Sequence, residues 1–129
     1  MRFYSFMARA SAALALTLAL FTPLKAETVL IMFDDEGCPY CEMWKAQIGP
    51  IYPKTSEAEI APLMILDIDA PLPEGITIES PPVFTPTFVL VHNGQEVDRL
   101  VGHPGEDFFW FLVDRMISKL PGQETEGSS

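Results

Sequence analysis

Cations are scarce in this chain. Eight lysines and arginines face eighteen aspartates and glutamates, a formal net charge of −10 over 129 residues. Arg2, Arg9 and Lys25 all fall in the first 26 residues, so the chain from residue 27 onward is more acidic still. Such a surface repels phosphate backbones and anionic headgroups, which excludes nucleic-acid binding and adsorption to an acidic membrane. Cysteine is scarcer: only Cys38 and Cys41 occur, too few for a disulfide scaffold in a small exported domain. Histidine is limited to His92 and His103, neither at finger spacing from the cysteines, so an ordinary structural zinc site lacks its remaining ligands. A bilayer span needs ~20 apolar residues, and the apolar run Ala10–Phe21 offers only about twelve.

That short run has another meaning. Arg2 and Arg9 give it a basic start, and Leu24-Lys25-Ala26 supplies a small residue at a plausible cleavage point, so residues 1–26 read as a secretory signal peptide. The remainder suits one domain around a single core, taken as residues 27–121, followed by a polar, disordered tail over 122–129. Export would place the two cysteines where disulfides persist.

Along the rest of the chain the apolar period changes several times. Thr28–Phe33 (TVLIMF) is a continuous run of β-formers, suited to a strand buried on both faces. Pro39–Ile48 predicts a helix, with Cys41, Trp44 and Ile48 at helical spacing and a stop at Gly49-Pro50. Ser56-x-x-Glu59 has the form of a capping box for a short second helix ended by Pro62. Leu63–Asp69 (LMILDID) is a second strand, parallel to the first in a βαβ unit. Five prolines from Pro71 to Pro86 oppose a regular helix and predict an ordered loop. Thr87–Val91 and Glu96–Val101 flank Asn93-Gly94 and predict an antiparallel hairpin.

The last helix opens at Glu106 and Asp107 and closes at Lys119 and Pro121-Gly122, with charges that complement its dipole at each end. Phe109, Leu112, Val113, Met116, Ile117 and Leu120 form its apolar stripe. Phe111 falls off that stripe, which leaves it for the Pro-rich loop, the tail or a partner to cover. The order β-α-β then β-β-α predicts an α/β fold, a four-stranded mixed sheet with flanking helices.

The cysteines stand where the first strand hands over to the first helix. With Cys38 at the N-cap, Pro39 takes the first helical position, where its missing N–H costs nothing. Unpaired backbone N–H groups and the positive end of the helix dipole then favour the Cys38 thiolate. Cys41, one turn on, faces the sheet and can close a disulfide. Thiol–disulfide exchange needs this asymmetry, because one thiolate attacks and a second must displace the partner. Asp34, Asp35 and Glu36 precede the pair, and their charge opposes the thiolate, raises its pKa and makes the dithiol a stronger reductant.

On residues alone other chemistries stay open. One is a thiol oxidant or disulfide isomerase; another is a metal-binding or carrier module that adds His92 or His103 to the cysteines. A structural staple is a third, although the loop it closes is too short to remove much chain entropy. Phe84-Thr85-Pro86-Thr87-Phe88 favours the redox reading, since it puts a proline at the mouth of a strand that otherwise reads as central. A cis Thr85–Pro86 bond there would free adjoining backbone groups to pair with an extended substrate.

Cys38-Pro39-Tyr40-Cys41 after a strand, Thr85-Pro86-Thr87-Phe88, and Asn93-Gly94 followed by Glu96-Val97 and Val101-Gly102 together resemble the thioredoxin superfamily over about residues 28–120. More narrowly, Trp44, Ile48–Thr55 (IGPIYPKT), Thr85–Leu90 and Pro104–Trp110 (PGEDFFW) are similar to the SoxS-type periplasmic thioredoxins of bacterial sulfur-oxidation systems. The resemblance implies a thioredoxin fold with a minimal, glutaredoxin-sized core, and no cofactor or metal beyond a redox-active Cys38–Cys41 disulfide. It makes Cys38 the attacking thiol and Cys41 the resolving one, and borders the substrate groove with Pro39, Tyr40, Thr85, Pro86, Gly102 and His103. It implies a periplasmic protein, expected to be a monomer, that reduces a thiol-bearing component of sulfur oxidation and is recharged by a membrane electron-transfer protein.

The chain also departs from the pattern of cytosolic thioredoxins. Gly37 stands where they keep a tryptophan, which suggests a narrower partner range, and Met32 replaces their buried acid. Proton transfer from Cys41 must then use water or another group, with Glu42 and Asp35 as candidates. The usual first strand and helix ahead of the catalytic strand are absent.

Overall fold

The structure, a computed structural model, describes residues 27–123. The leader expected over 1–26, and the part of the expected tail from 124 to 129, lie outside the described residues. The elements run β1 (Thr28–Asp34), α1 (Pro39–Gln47), a 3-10 turn (Tyr52–Lys54), α2 (Ser56–Ile60), β2 (Leu63–Asp67), β3 (Thr87–His92), β4 (Gln95–Val101) and α3 (Glu106–Ser118). The strands form one mixed sheet in the order β2-β1-β3-β4, parallel between β1 and β2 and antiparallel elsewhere.

The most apolar strands, β1 and β3, take the centre. Leu30, Ile31, Met32, Phe88, Val89 and Leu90 are all fully buried, so both faces of the pair are covered. Leu30, Met32, Phe88 and Leu90 meet Trp44 from α1, Ile48 at its C-cap, and Phe109, Val113 and Met116 from α3. Trp44, Phe88 and Phe109 form the middle of this layer, with ring centroids 5.0 to 5.4 Å apart and tilted or edge-on planes. Each such pair adds ~0.5–1.5 kcal/mol beyond its buried area.

The opposite face is sealed differently. Ile31, Phe33, Val89 and Val91 pack against Leu72, Ile76 and Ile78 of the Pro-rich segment, so the helices flank one face and a loop covers the other. Burying one such aliphatic side chain contributes ~1.5–3 kcal/mol, which is why a loop without regular structure holds its place. Thr77 fixes it by donating its N–H to the Gly94 carbonyl at 2.7 Å. Asn93 and Gly94 make the β3–β4 turn with φ of 51° and 79°, the left-handed pair that a two-residue hairpin demands.

Several boundaries differ from the sequence reading by one or two residues, and two of the shifts have a side-chain hydrogen bond as their cause. The cap of α2 is Thr55 and not Ser56: Thr55 has extended backbone, and its Oγ1 accepts the Ala58 N–H at 3.2 Å while donating to the Tyr52 carbonyl at 2.6 Å. The same hydroxyl thus closes the 3-10 turn and opens the helix, which moves the helix start one residue earlier. β2 stops at Asp67 and not Asp69, because the Asp67 carboxylate accepts the Asp69 N–H at 2.8 Å and bends the chain away from the sheet. Phe111 is covered by neither the Pro-rich loop nor a core contact; it stays exposed, with the Arg115 guanidinium 5.9 Å from its ring centroid.

Gly94 carries a test of the loop clamp. A Cβ at this position would collide with the Gly75 carbonyl, and the backbone is left-handed. Gly94→Ala should therefore destabilise the fold by at least the ~1–3 kcal/mol of a strained backbone, read as a lower urea midpoint; a midpoint matching the parent's would show that the loop is not held by this turn.

Candidate active site

β1 delivers the chain into a tight turn before the cysteines. Cys38 donates its N–H to the Asp35 carbonyl at 3.3 Å, and Gly37 between them has φ +76°. This left-handed backbone gives a local reason for glycine, so the residue standing in for the family's tryptophan is required by the turn and need not report on partner range. Cys38 then takes the N-cap of α1 with extended backbone, and Pro39 fills the first turn. The Cys41 N–H points at Cys38 Sγ from 3.1 Å. Cys38 and Cys41 are joined as a disulfide with Cα atoms 5.3 Å apart. Cys38 is 8% exposed and Cys41 fully buried, so only the first sulfur can meet a partner.

Two further segments meet this pair. Cys38 Sγ lies 3.5 Å from the Thr85 carbonyl oxygen, and the Thr85–Pro86 peptide bond is cis. Gly102 donates its N–H to the Pro86 carbonyl at 2.7 Å, which joins the end of β4 to the start of β3. His103 comes next, with Nε2 3.1 Å from Gln47 Oε1 on α1 and a buried Nδ1 that has no hydrogen-bond partner. Cys38-Pro39-Tyr40-Cys41, Thr85-Pro86 and Gly102-His103 are thus brought to one edge of the sheet, with the Tyr40 ring largely in solvent.

His92 is not brought there. Its Nδ1 pairs with Thr28 Oγ1 at 2.7 Å, at the far end of β3 from Thr87. Five residues of strand put it about 16 Å from that edge, so a metal or carrier site built from the cysteines and His92 has no geometric basis. Among the described residues, no group of three or more His, Cys, Asp and Glu side chains is close enough to hold a metal ion.

The acidic residues divide into two groups. Lys45, one turn beyond Cys41, places Nζ 2.9 Å from the Asp34 carboxylate and 2.7 Å from that of Glu42. Hydrogen bonds to these two carboxylates raise the Lys45 pKa above its ordinary value. One cation against two carboxylates offsets half of their charge, and Glu42, engaged by Lys45, is exposed on α1 while Cys41 is buried. Asp35 and Glu36 make no ion pair among the described residues and stay exposed. Met32, at the family's acid position, is fully buried in the same apolar cluster as both cysteines.

Sequence reasoning missed three residues at this edge: Lys45, Gln47 and Phe84. Lys45 stands three residues after Glu42 on a helix, a spacing that could have exposed the pair. Gln47 and Phe84 depend on long-range geometry. Thr87 Oγ1, buried, donates to the Phe84 carbonyl at 2.6 Å and pins that residue beside Thr85.

Comparison with known proteins adds to this geometry. No protein-family model and no curated protein matches the chain. Among solved structures, the reduced form of the periplasmic thioredoxin SoxS from Paracoccus pantotrophus is similar at 47% identity, with 72% of this chain and 98% of that chain covered and a TM-score of 0.70. The thioredoxin Mala s 13 of Malassezia sympodialis is 26% identical over 70% of this chain and 77% of its own, at a TM-score of 0.47.

His103 gives the site a pH signature. Burial lowers its pKa below the ordinary value, against the opposing charge of Glu106. As pH falls through about 6.5, the unfolded chain takes up this proton before the folded one, so the stability associated with neutral His103 is present above that pH and lost below it. Between pH 7 and 5 the urea midpoint should fall further for the parent than for His103→Gln; equal falls would remove the burial of this imidazole as the cause.

Proposed function

The chain belongs to the thioredoxin family and is a thiol–disulfide oxidoreductase, and from that premise we propose that it is a periplasmic electron donor serving a thiol-bearing protein of sulfur oxidation. The carrying observation is the asymmetry of the cysteine pair. One sulfur caps a helix, receives the Cys41 N–H and reaches the surface, while the other is buried behind it. Similarity over 98% of a periplasmic thioredoxin named SoxS supports the compartment and the system. No helix among the described residues is long and apolar enough to cross a membrane.

In the proposed cycle the Cys38 thiolate attacks one sulfur of the partner's disulfide. That S–S bond breaks, its other sulfur leaves as a thiolate and takes a proton from solvent, and Cys38 is left in a mixed disulfide. Cys41 loses its proton to water and attacks Cys38 Sγ. The mixed disulfide breaks, the partner's second thiol is released, and two electrons have passed from the dithiol to the partner. A membrane electron-transfer protein then returns two electrons to the Cys38–Cys41 disulfide, which is the only cofactor the scheme requires. Pro39, Tyr40, Thr85, Pro86, Gly102 and His103 border the groove in which the partner lies. Asp35 and Glu36 act against the thiolate with no cation paired to them, whereas Lys45 offsets part of the charge of Asp34 and Glu42.

The helix start also favours a second reading. An amide aimed at Cys38 stabilises the thiolate, which is the direction of a thiol oxidant or disulfide isomerase. The reduction potential separates the two. A donor should equilibrate with glutathione near the thioredoxin value of about −270 mV, whereas a value above about −180 mV would select the oxidant or isomerase.

Trapping tests the cycle itself. Cys41→Ser in a periplasmic extract should accumulate a mixed disulfide with one principal protein, released by dithiothreitol, and Cys38→Ser should trap none. No captured protein while Cys38 of the trap variant still reacts with iodoacetamide would count decisively against a dedicated partner.

A further inference from the structure

Large apolar side chains are unevenly exposed on this protein. Among the described residues, Tyr40, Val83, Phe84, Val101 and Phe108 are 54 to 79% exposed and belong to segments that meet at the edge carrying Cys38; Phe111, at 57%, is the one other large apolar side chain exposed by more than half. Tyr40 lies inside the cysteine motif, Val83 and Phe84 immediately precede Thr85, Val101 pairs with Thr87 across the sheet, and Phe108 is in the first turn of α3. Phe84 is not on a loose loop. Its carbonyl accepts the Thr87 hydroxyl, and the next carbonyl lies against Cys38 Sγ. Folding gains nothing from holding an aromatic ring two-thirds exposed at a pinned position, so the gain lies in contact with something else.

That contact is constrained by the sulfur. Cys38 is 8% exposed, so a sulfur reaching it must be carried over the flanking surface of Tyr40 and Phe84. The charge around this surface has one sign. Asp35 and Glu36 lie on one side and Glu106 and Asp107, in the first turn of α3, on another, all exposed. The nearby cation Lys45 is already engaged by Asp34 and Glu42.

We propose that this edge is the docking face for a protein partner whose cysteine sits on an apolar surface bordered by lysine or arginine. The inference rests on the thiol-exchange reading of Cys38 and names the partner class that site selects. Apolar contact supplies the binding, and the acidic border raises the encounter rate of a basic partner and rejects an acidic one.

Synthetic peptides test it with the reduced, full protein. Each carries one cysteine activated as a 2-pyridyl mixed disulfide, so attack releases thiopyridone and is followed by absorbance. One pair differs only in lysine or glutamate at the flanks; a second pair differs only in leucine or glycine beside the cysteine. In low salt the lysine peptide should react at least about 10-fold faster than the glutamate peptide. The ratio should fall to within about 3-fold in 0.5 M salt, and likewise when Asp35, Glu36, Glu106 and Asp107 are changed to their amides. Phe84→Ser should reduce the leucine-to-glycine ratio. Ratios are used because they cancel changes in intrinsic thiolate reactivity.

A lysine-to-glutamate ratio near one in low salt, or a ratio unmoved by the amide substitutions, would overturn the basic-partner assignment. A leucine-to-glycine ratio unmoved by Phe84→Ser would overturn the apolar part. The pyridyl disulfide of N-acetylcysteamine, small and uncharged, marks the boundary with the underlying reading. If it reacts while the peptides show no preference, the docking face alone fails; if it is not attacked either, the redox reading of Cys38 fails and the docking face with it.

Discussion

Burial of β1 and β3 on both faces is the constraint on which the rest of this fold depends. Two central strands with no polar face must be covered twice, and the helices among the described residues form only one covering layer. The Pro-rich segment therefore becomes part of the core. Pairing of the two strands also builds the active edge: Phe33 lies opposite Thr87, and Thr87 opposite Val101. The exits of β1 and β4 and the entry of β3 thus emerge together, bringing Cys38, Pro86 and Gly102 within reach of one another. Strands apolar on both sides do not fix their own register by hydrophobic pattern, because a one-residue slip still buries apolar side chains. The Asn93-Gly94 turn fixes β3 against β4, the Asn93 N–H donated to the Glu27 carbonyl at 2.8 Å ties the same turn to the start of β1, and the Gly94 contact with Thr77 places the covering loop.

The features legible in the sequence are the local ones. Continuous apolar runs, the Asn-Gly turn and the proline after Cys38 act over a few residues, so the strands, the hairpin and the N-cap could be read without coordinates, whereas the pairing of β1 with β3 could not. The same holds for the resemblance that placed Cys38 and Cys41. The cap of α2 went to Thr55 because of a hydrogen bond back to the preceding 3-10 turn, which a capping-box pattern does not contain. The engagement of Asp34 by Lys45 spans eleven residues and a strand-to-helix turn, so three adjacent acids read as one cluster when one of them was already offset. Phe84 was hidden for a similar reason: an aromatic beside a strand reads as core, and only its exposure sets it apart.

The division among the acids changes what they can do. A hydrogen bond to a charged group contributes ~1.5–3 kcal/mol, and the amide of Cys41 is aimed directly at the Cys38 sulfur. Exposed charge pairs contribute ~0.2–1 kcal/mol and are screened by salt. Asp35 and Glu36 are exposed neighbours, so their pull on the thiolate is the weaker of the two effects. Their long-range field is a different matter, because encounter rates respond to the summed potential of a surface and not to one pair. The acids that first suggest a control on potential are physically better suited to choosing which protein reaches the sulfur. The helix start and the buried Cys41 set what happens once it has arrived.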